Sequence, residues 1–250
     1  MKHALVLTAA TIVCASVVAA APAQAVDAKR QPVVVELFTS QGCYSCPPAD
    51  RLLGEIAKRR DVLALSFHVD YWNYLGWKDP YSHRWATVRQ RAYAWSMKRA
   101  SVYTPQAIVN GRYQAVGSNR GAVAGMIRRA QDNGAAPVAV TVKRVPGGKL
   151  DVTIEPGASR SAAVANVWLV LFDKARTTDI PKGENAGKKL TYHHVVREFR
   201  MLTDYSGKPV HQVVSARGKA GAAPYYGAAI LVQRPRGGRV IGAGVSLAAN

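Results

Sequence analysis

Residues 40–50 read SQGCYSCPPAD. This stretch holds Cys43 and Cys46, with two residues between them. A pair of prolines follows Cys46 directly. Pro47 and Pro48 suit the first turn of a helix, because the amides of that turn have no partner inside the helix. The CxxC spacing fits three kinds of site: a redox pair, half of a metal site, or a small structural disulfide.

Strands and helices alternate on both sides of this stretch. Residues 33–38 form a continuous apolar run, typical of a strand buried on both faces, and helical spacing follows the prolines as far as Arg60. The pattern continues with a strand, a helix, a hairpin around Asn110-Gly111 and a last helix, over residues 62–67, 81–99, 106–116 and 120–130. The sequence therefore predicts the order β-α-β-α-β-β-α.

A CxxC motif between the first strand and its helix is typical of the thioredoxin arrangement. The partial positive charge of a helix N-terminus lowers the pKa of a nearby thiol. We therefore predict that Cys43 and Cys46 lie within disulfide geometry, with Cys43 at the rim as the more exposed, attacking sulfur and Cys46 buried behind it as the resolving sulfur. The Thr104-Pro105 bond is predicted to be cis and to face the sulfurs, because only proline adopts the cis form cheaply.

The residues also carry a family resemblance. The stretches VVVELFTSQGCYSCPPADRLL, FHVDYWNYLGWKDPYSHR, YTPQAIVNGRYQAVGS and GENAGKKLTYHHVVREF resemble the secreted thioredoxin-like proteins of domain-of-unknown-function family 1223. The resemblance implies a thioredoxin-like fold with an additional β-rich part, and it supplies no established reaction. Cys43, Cys46 and Pro105 match the two redox cysteines and the cis-proline of thioredoxins themselves.

Two features depart from the thioredoxin pattern. Tyr44 and Ser45 stand between the cysteines where thioredoxins usually have Gly-Pro, so the direction of any redox reaction stays open. Thioredoxins also carry a buried acid on the first strand, which accepts the proton of the resolving thiol. Glu36 is the only acid in the matching strand; it is either that acid or an edge residue that faces water.

Residues 70–83 (DYWNYLGWKDPYSH) follow the second strand and are expected at the same rim as the CxxC turn, where open α/β sheets bind ligands. Tyr44, Thr104, Trp72 and Trp77 are the candidate substrate contacts there. The alternative is that the aromatic residues pack as a lid over the sheet. His68, at the end of the second strand, either tunes a thiol and contacts substrate or is a structural histidine.

The second half shows strand patterns only. Alternating apolar residues and turn signals suggest a sandwich, and the pattern changes near residues 131–137. The predicted fold class is an α/β thioredoxin-like domain (residues 26–133) followed by an all-β, sandwich-like domain (residues 134–250). His193 and His194 point to opposite faces of a strand and cannot easily share one metal ion. Residues 182–189 (KGENAGKK) are predicted to form a solvated basic loop, with anion binding as the alternative.

The first 25 residues have the pattern of a secretory signal. Lys2 precedes an apolar stretch, and Ala23-Gln24-Ala25 forms a cleavage site, after which we expect removal. The alternative is a membrane anchor. We expect a periplasmic or secreted chain with no stable membrane span after the signal is removed, in a compartment where disulfides persist.

The formal net charge is +19. Such a charge can attract anionic lipid or acidic polymers. Because the arginines are scattered rather than gathered into one tract, a solvated basic surface is the simpler interpretation. We expect no nucleic-acid partner for an exported chain.

These observations favour an exported thiol-disulfide oxidoreductase that acts on exported proteins or small thiols, with a redox partner protein and without a cofactor or resident metal. One alternative is a carrier of Cu(I) or Zn that uses both thiolates and a histidine such as His68. Another is a non-catalytic binding module whose CxxC is merely oxidised. A disulfide across so short a loop contributes only about 2 kcal/mol, and a full-sized domain hardly requires it.

Overall fold

A computed structural model of the chain describes residues 31–133, 137–156, 164–218 and 225–248. The predicted signal, residues 1–25, lies outside them. The first half contains these elements: β1 (Val33–Thr39), α1 (Pro47–Ile56), β2 (Val62–His68), a short 3-10 helix (Asn73–Leu75), α2 (Arg84–Ser96), β3 (Gln106–Val109), β4 (Tyr113–Val116) and α3 (Arg120–Asp132). This is the element order that the sequence predicts, with one added 3-10 turn.

The first sheet has the order β2-β1-β3-β4. Its central strand β1 runs parallel to β2 and antiparallel to β3. Successive side chains of a strand point to opposite faces, so Val35 and Leu37 pack against α1 and α3, whereas Val34 and Phe38 pack on the other side. Burial of both faces explains why β1 is a continuous apolar run.

The described residues of the second half add nine strands: β5 (Val138–Val145), β6 (Lys149–Pro156), β7 (Ala165–Phe172), β8 (Ala175–Asp179), β9 (Lys189–His193), β10 (Val196–Tyr205), β11 (Val210–Ser215), β12 (Gly227–Gln233) and β13 (Val240–Leu247). They form a sheet of order β10-β7-β12-β13, a sheet of order β11-β6-β5 and the hairpin β8-β9. Side chains such as Val140, Ile154, Leu169 and Ile230 share one core cluster between the two larger sheets.

The two halves are joined by a shared apolar core. Phe38 and Phe67 of the first sheet lie in one cluster with Phe172 of β7 and Leu231 of β12. Backbone contacts cross the same boundary, since the amide of Ser66 donates to the carbonyl of His194 at 2.9 Å. The predicted division between residues 133 and 134 remains a prediction, and nothing in this packing separates the two parts spatially.

The fold class predicted from the sequence is wrong. The structure is mostly β, with 44% strand against 19% helix, and its described strands form four sheets rather than an α/β thioredoxin-like domain with a separate β-rich domain. The prediction rested on the alternation of elements in the first half. Of the later strands, β9, β10 and β13 contact the first sheet or α1, and the later strands together set the class of the chain.

The hairpin β8-β9 lies against α1. A Cβ atom built on Gly54 of α1 would lie 2.5 Å from Cδ2 of His193 in β9, so only glycine leaves room for this approach. Helix α1 therefore lies between the first sheet and the hairpin, and the loop that joins β8 to β9 is carried over the start of the helix.

Candidate functional site

Cys43 and Cys46 form a disulfide with a Cα–Cα distance of 5.4 Å. The chain leaves β1 at Thr39, makes a tight turn and enters α1 at Pro47, with Cys46 as the N-cap residue. The amides of Ala49 and Asp50 donate to the Cys46 carbonyl at 2.9 and 3.1 Å. The predicted cysteine pair at a helix start is confirmed.

The predicted exposure of Cys43 is wrong. Cys43 is 1% exposed and Cys46 is 0% exposed, although Tyr44 between them is 67% exposed. The helix start alone would leave Cys43 at the rim, but the second half of the chain covers it.

This cover is the loop of residues 180–188 between β8 and β9, here called the cover loop. Asn185 is fully buried, and its amide Nδ2 donates to the carbonyl oxygens of Gln41 at 2.8 Å and Cys43 at 2.9 Å. A Glu184 carboxylate oxygen accepts from the Tyr44 amide at 2.9 Å. The loop thus binds the turn on both sides of Cys43 through Glu184 and Asn185, while its lysines are exposed, as the sequence predicted.

Lys188 adds two contacts to the cover. Its Nζ donates to Oδ1 of Asn185 at 2.9 Å, and it lies 4.5 Å from the centroid of the Tyr44 ring. The first contact fixes the amide orientation of Asn185. The second is a cation–π interaction that holds the exposed ring against the loop.

The Thr104-Pro105 peptide bond is cis, as predicted. Trp72 donates through Nε1 to the Thr104 hydroxyl at 2.8 Å, and a Cβ atom on Gly42 would lie 3.0 Å from the Trp72 Cβ. The insertion therefore joins the cis-proline loop to the cysteine turn. Pro105 precedes β3, whose Gln106 pairs with Phe38, so it lies at the end of the sheet from which the turn emerges.

Trp77 also contacts the cysteine turn. Its Nε1 donates to the side-chain oxygen of Gln41 at 2.8 Å. Trp72 and Trp77 are both partly buried, and both use their ring nitrogens for internal hydrogen bonds. They support the turn from one side, while the cover loop holds it from the other.

His68 lies beneath the turn rather than beside it. Its Nδ1 is 2.7 Å from Asp79 Oδ2, and both side chains are fully buried. The amides of Gln41 and Tyr81 also donate to this carboxylate, each at 2.9 Å. Burial alone would raise the pKa of Asp79, but the charge of His68 and these hydrogen bonds outweigh it and lower that pKa.

Asp50 is a site residue that the sequence argument missed. It lies in the first turn of α1, four residues after Cys46, and is 4% exposed. Neither of its carboxylate oxygens has a well-formed hydrogen bond among the described residues, although the Thr39 hydroxyl lies close enough to lower its pKa. Burial raises the pKa of Asp50 to about 7, and nearby His68 and Thr39 offset this only in part. Its place on the apolar stripe of α1, three residues before Leu53, was the available signal.

Asp50 belongs to a buried polar cluster at the first turn of α1. Its other members are Thr39, His68, Asp79 and Tyr192. Three of their atoms have no hydrogen-bond partner among the described residues: Thr39 Oγ1, His68 Nε2 and the Tyr192 hydroxyl. The rings of His68 and Tyr192 lie 4.8 Å apart. Burial raises the pKa of Tyr192, and the charges of Asp50 and Asp79 raise it further, so this hydroxyl stays protonated.

Glu36 lies elsewhere. It is fully buried and does not face water, and its position in β1 places it on the opposite face of the sheet from α1. Its carboxylate accepts from Arg89 Nη2 at 2.9 Å and also from Arg89 Nε and the Tyr93 hydroxyl. The structure therefore separates Glu36 from the cysteines and pairs it with α2.

No group of three or more His, Cys, Asp or Glu side chains within the described ranges could hold a metal ion. His194 uses its Nδ1 in a contact of 2.9 Å with the Ala64 carbonyl, whereas His193 packs against Gly54. The adjacent histidines thus serve two different contacts.

Two solved structures are similar to this chain. A protein from Agrobacterium tumefaciens, solved by X-ray crystallography, is 33% identical with a TM-score of 0.73, over 89% of this chain and 96% of that one. HBP35 of Porphyromonas gingivalis is 17% identical with a TM-score of 0.62, over 88% of this chain and 76% of that one, a likeness of fold alone. A search of the curated proteins found no match.

A family model described as "Protein of unknown function (DUF1223)" matches residues 34–233. The match includes the cysteine turn, the aromatic insertion, the cis-proline loop and the cover loop. The site described above thus lies wholly inside the matched region, and the chain belongs to the DUF1223 family.

Proposed function

We propose that this chain is an exported thiol–disulfide exchange protein, in which Cys43 and Cys46 exchange electrons with proteins or small thiols. The observation that carries the proposal is a disulfide at a helix start with an unpartnered, buried acid four residues after its second cysteine. A buried carboxyl group with a pKa of about 7 can give up and take back a proton at neutral pH.

Stability alone does not account for this arrangement. Closing a four-residue loop with a disulfide contributes about 2 kcal/mol, and an acid in the first turn of a helix adds at most about 1 kcal/mol. Raising the pKa of Asp50 from 3.8 to about 7 costs on the order of 4 kcal/mol at neutral pH. The cost exceeds either gain, and such unfavourable ionisable groups are concentrated at functional sites.

The exchange proceeds in two displacements. A thiolate of a dithiol partner attacks the Cys43 sulfur, the bond to Cys46 breaks, and its electron pair leaves on Cys46. Asp50, protonated in about half of the molecules at pH 7, supplies the proton that neutralises this thiolate. The second thiolate of the partner then displaces Cys43. The partner loses two electrons and gains a disulfide, and a disulfide-bearing partner re-oxidises the pair by the reverse steps.

Cys43 is the sulfur that the partner attacks in this proposal. Its neighbours Tyr44 and Ser45 are exposed, and its Sγ lies 3.4 Å from the Ser45 hydroxyl. The Cys46 backbone is instead the cap of α1, with its carbonyl engaged by two helix amides. A partner thus approaches from the side of Cys43.

Export is part of the same proposal. It is supported by the signal-like pattern of residues 1–25 and by the disulfide, which persists in oxidising compartments. In the part of the chain that the structure describes, no helix is long and apolar enough to cross a membrane.

Trapping of mixed disulfides tests the proposal. Cys46→Ser and Cys43→Ser are expressed with the full chain, thiols are blocked by alkylation, and adducts are separated by non-reducing electrophoresis and identified. We expect adducts from Cys46→Ser, because the resolving sulfur is missing, and none from Cys43→Ser. The double variant is the control for adducts that do not involve this pair.

Two outcomes contradict parts of the proposal. Adducts from Cys43→Ser alone reverse the two roles. No adducts from either variant, together with one-to-one uptake of Cu(I) or Zn by the reduced wild type, support the carrier alternative instead. The carrier alternative has the weaker support, since no third ligand accompanies the cysteines in the described residues.

A further inference from the structure

We infer that the cover loop occupies a polypeptide-binding surface around Cys43, and that an extended polypeptide partner opens the site by replacing Glu184 and Asn185. This inference rests on the proposed exchange function and names the substrate class of the same site.

The surface consists of three backbone groups on the cysteine turn. The carbonyls of Gln41 and Cys43 are acceptors, and the amide of Tyr44 is a donor. Side chains of the cover loop bind all three groups, and the Cys43 carbonyl also accepts from the Cys46 amide at 3.2 Å. A partner that covers Cys43 must therefore supply at least the bonds to the Gln41 carbonyl and the Tyr44 amide in place of the loop, because an unsatisfied backbone group is costly once covered.

The two side chains that bind this surface reproduce the chemistry of a peptide backbone. The Asn185 amide presents N–H donors to the two carbonyls, and the Glu184 carboxylate presents an acceptor oxygen to the amide. An extended chain presents the same donors and acceptors from its peptide groups, which is the basis of recognition by main-chain hydrogen bonds. A small thiol has too few such groups to replace the loop.

The cover loop has hydrogen bonds of its own. Its internal bonds join Ala186 to Gly183 at 3.0 Å, Gly187 to Ile180 at 2.8 Å and Lys188 to Asn185 at 3.1 Å, so its own shape does not depend on the turn. Three hydrogen bonds and one cation–π contact hold it closed. With a net worth of about fivefold for each hydrogen bond, closure is favoured on the order of a hundredfold, which a partner with equivalent bonds can offset.

Reduction of the purified, oxidised protein by two thiol probes tests this inference. One probe is N-acetylcysteine methylamide; the other is a blocked seven-residue peptide with a central cysteine, used at equal thiolate concentration. One probe molecule displaces Cys46, a second displaces Cys43, and the product is a probe disulfide. Freed protein thiols are counted by alkylation and mass spectrometry. We expect the peptide to react about tenfold faster with the wild type.

Variants of the loop separate its role from general reactivity. Asn185→Ala removes two hydrogen bonds and is expected to speed reduction by the small probe about 25-fold, so that the preference for the peptide largely disappears. Glu184 is exposed, so Glu184→Ala is not expected to disturb folding. This variant is expected to speed reduction by the small probe by a smaller factor. Lys182→Ala, exposed in the same loop, is the control and should behave as the wild type.

Equal reduction rates of the wild type by the two probes, or unchanged preference in both loop variants, overturn the inference. If mixed-disulfide adducts form in cells but the probes react equally, the exchange function stands and the polypeptide surface fails. If the purified protein prefers the peptide but Cys46→Ser traps no adduct, the surface stands and the exchange function fails.

Discussion

The side-chain amide of Asn185 donates to the carbonyl oxygen of Cys43 across 2.9 Å, although 142 residues separate them in the chain. The disulfide turn is thus completed by a loop that the hairpin β8-β9 carries across α1. Substitutions that alter the packing of that hairpin on α1 are therefore expected to change how fast the disulfide is reduced, although they change neither cysteine.

Gly54→Ala tests this coupling. A methyl group there would lie 2.5 Å from Cδ2 of His193, and overpacking of this kind typically costs about 1 to 3 kcal/mol. Alanine in a helix otherwise gains about 1 kcal/mol over glycine, so a net loss identifies the clash. We expect lower stability in urea and faster reduction of the disulfide by dithiothreitol. His193→Ala in the same chain should restore both; a Gly54→Ala protein more stable than the wild type would falsify the coupling.

Asp50→Asn is expected to raise the free energy of unfolding at neutral pH. The pKa of Asp50 in the folded protein, about 7, lies above its ordinary value of 3.8. Between these values the folded protein holds a proton that the unfolded chain has released, so the wild type loses stability as pH rises and the loss is complete above pH 7. We expect the variant to be more stable by up to about 4 kcal/mol at pH 8 and nearly equal at pH 3.5. Urea unfolding of both oxidised proteins measures this; a constant difference at both pH values contradicts it.

The same substitution is expected to slow disulfide exchange. General acids contribute typically on the order of a hundredfold or more, and Asp50 can donate only while it is protonated. At fixed thiolate concentration, the rate of wild-type reduction should fall as pH rises through about 7, and Asp50→Asn should lack that step and react at least about tenfold more slowly at pH 6. Asp61→Asn, an exposed acid paired with Arg59, is the control. If the reduction rate of Asp50→Asn depends on pH in the same way as that of the wild type, Asp50 is not the general acid.

The pair of Glu36 and Arg89 is expected to stabilise the fold without serving the cysteines. Both side chains are almost fully buried, so Glu36→Gln leaves a buried guanidinium without its counter-charge at a cost of about 3 to 5 kcal/mol. The double variant Glu36→Gln/Arg89→Met should recover part of that loss. Thermal unfolding measures both effects. Adduct formation per folded molecule in the Cys46→Ser background should not change with the double variant. A large drop in adducts while the protein stays folded would place Glu36 in the exchange site after all.

The local parts of the site could be predicted from the sequence. The apolar run of β1, the prolines at the start of α1 and the cis bond before Pro105 depend on residues next to one another, and the structure places each as predicted. Local patterns also yield the order of elements in the first half.

The long-range parts could not be predicted in this way. Burial of Asn185 depends on two carbonyl groups some 140 residues earlier in the chain, and the partner of Glu36 comes from α2. Nothing in a loop rich in lysine and glycine indicates that one amide in it is buried. The fold class failed for the same reason, because the alternation of elements in one half says nothing about which sheets later cover them.

The cover loop is synthesised later than the cysteine turn that it covers. Synthesis runs at roughly 5 to 20 residues per second, so the cysteine turn is made on the order of ten seconds before Asn185, which follows 142 residues later. During that interval both sulfurs are open to any oxidant that reaches the nascent chain. The loop is made long after the cysteine turn, and whatever bond the cysteines have formed by then is enclosed beneath it.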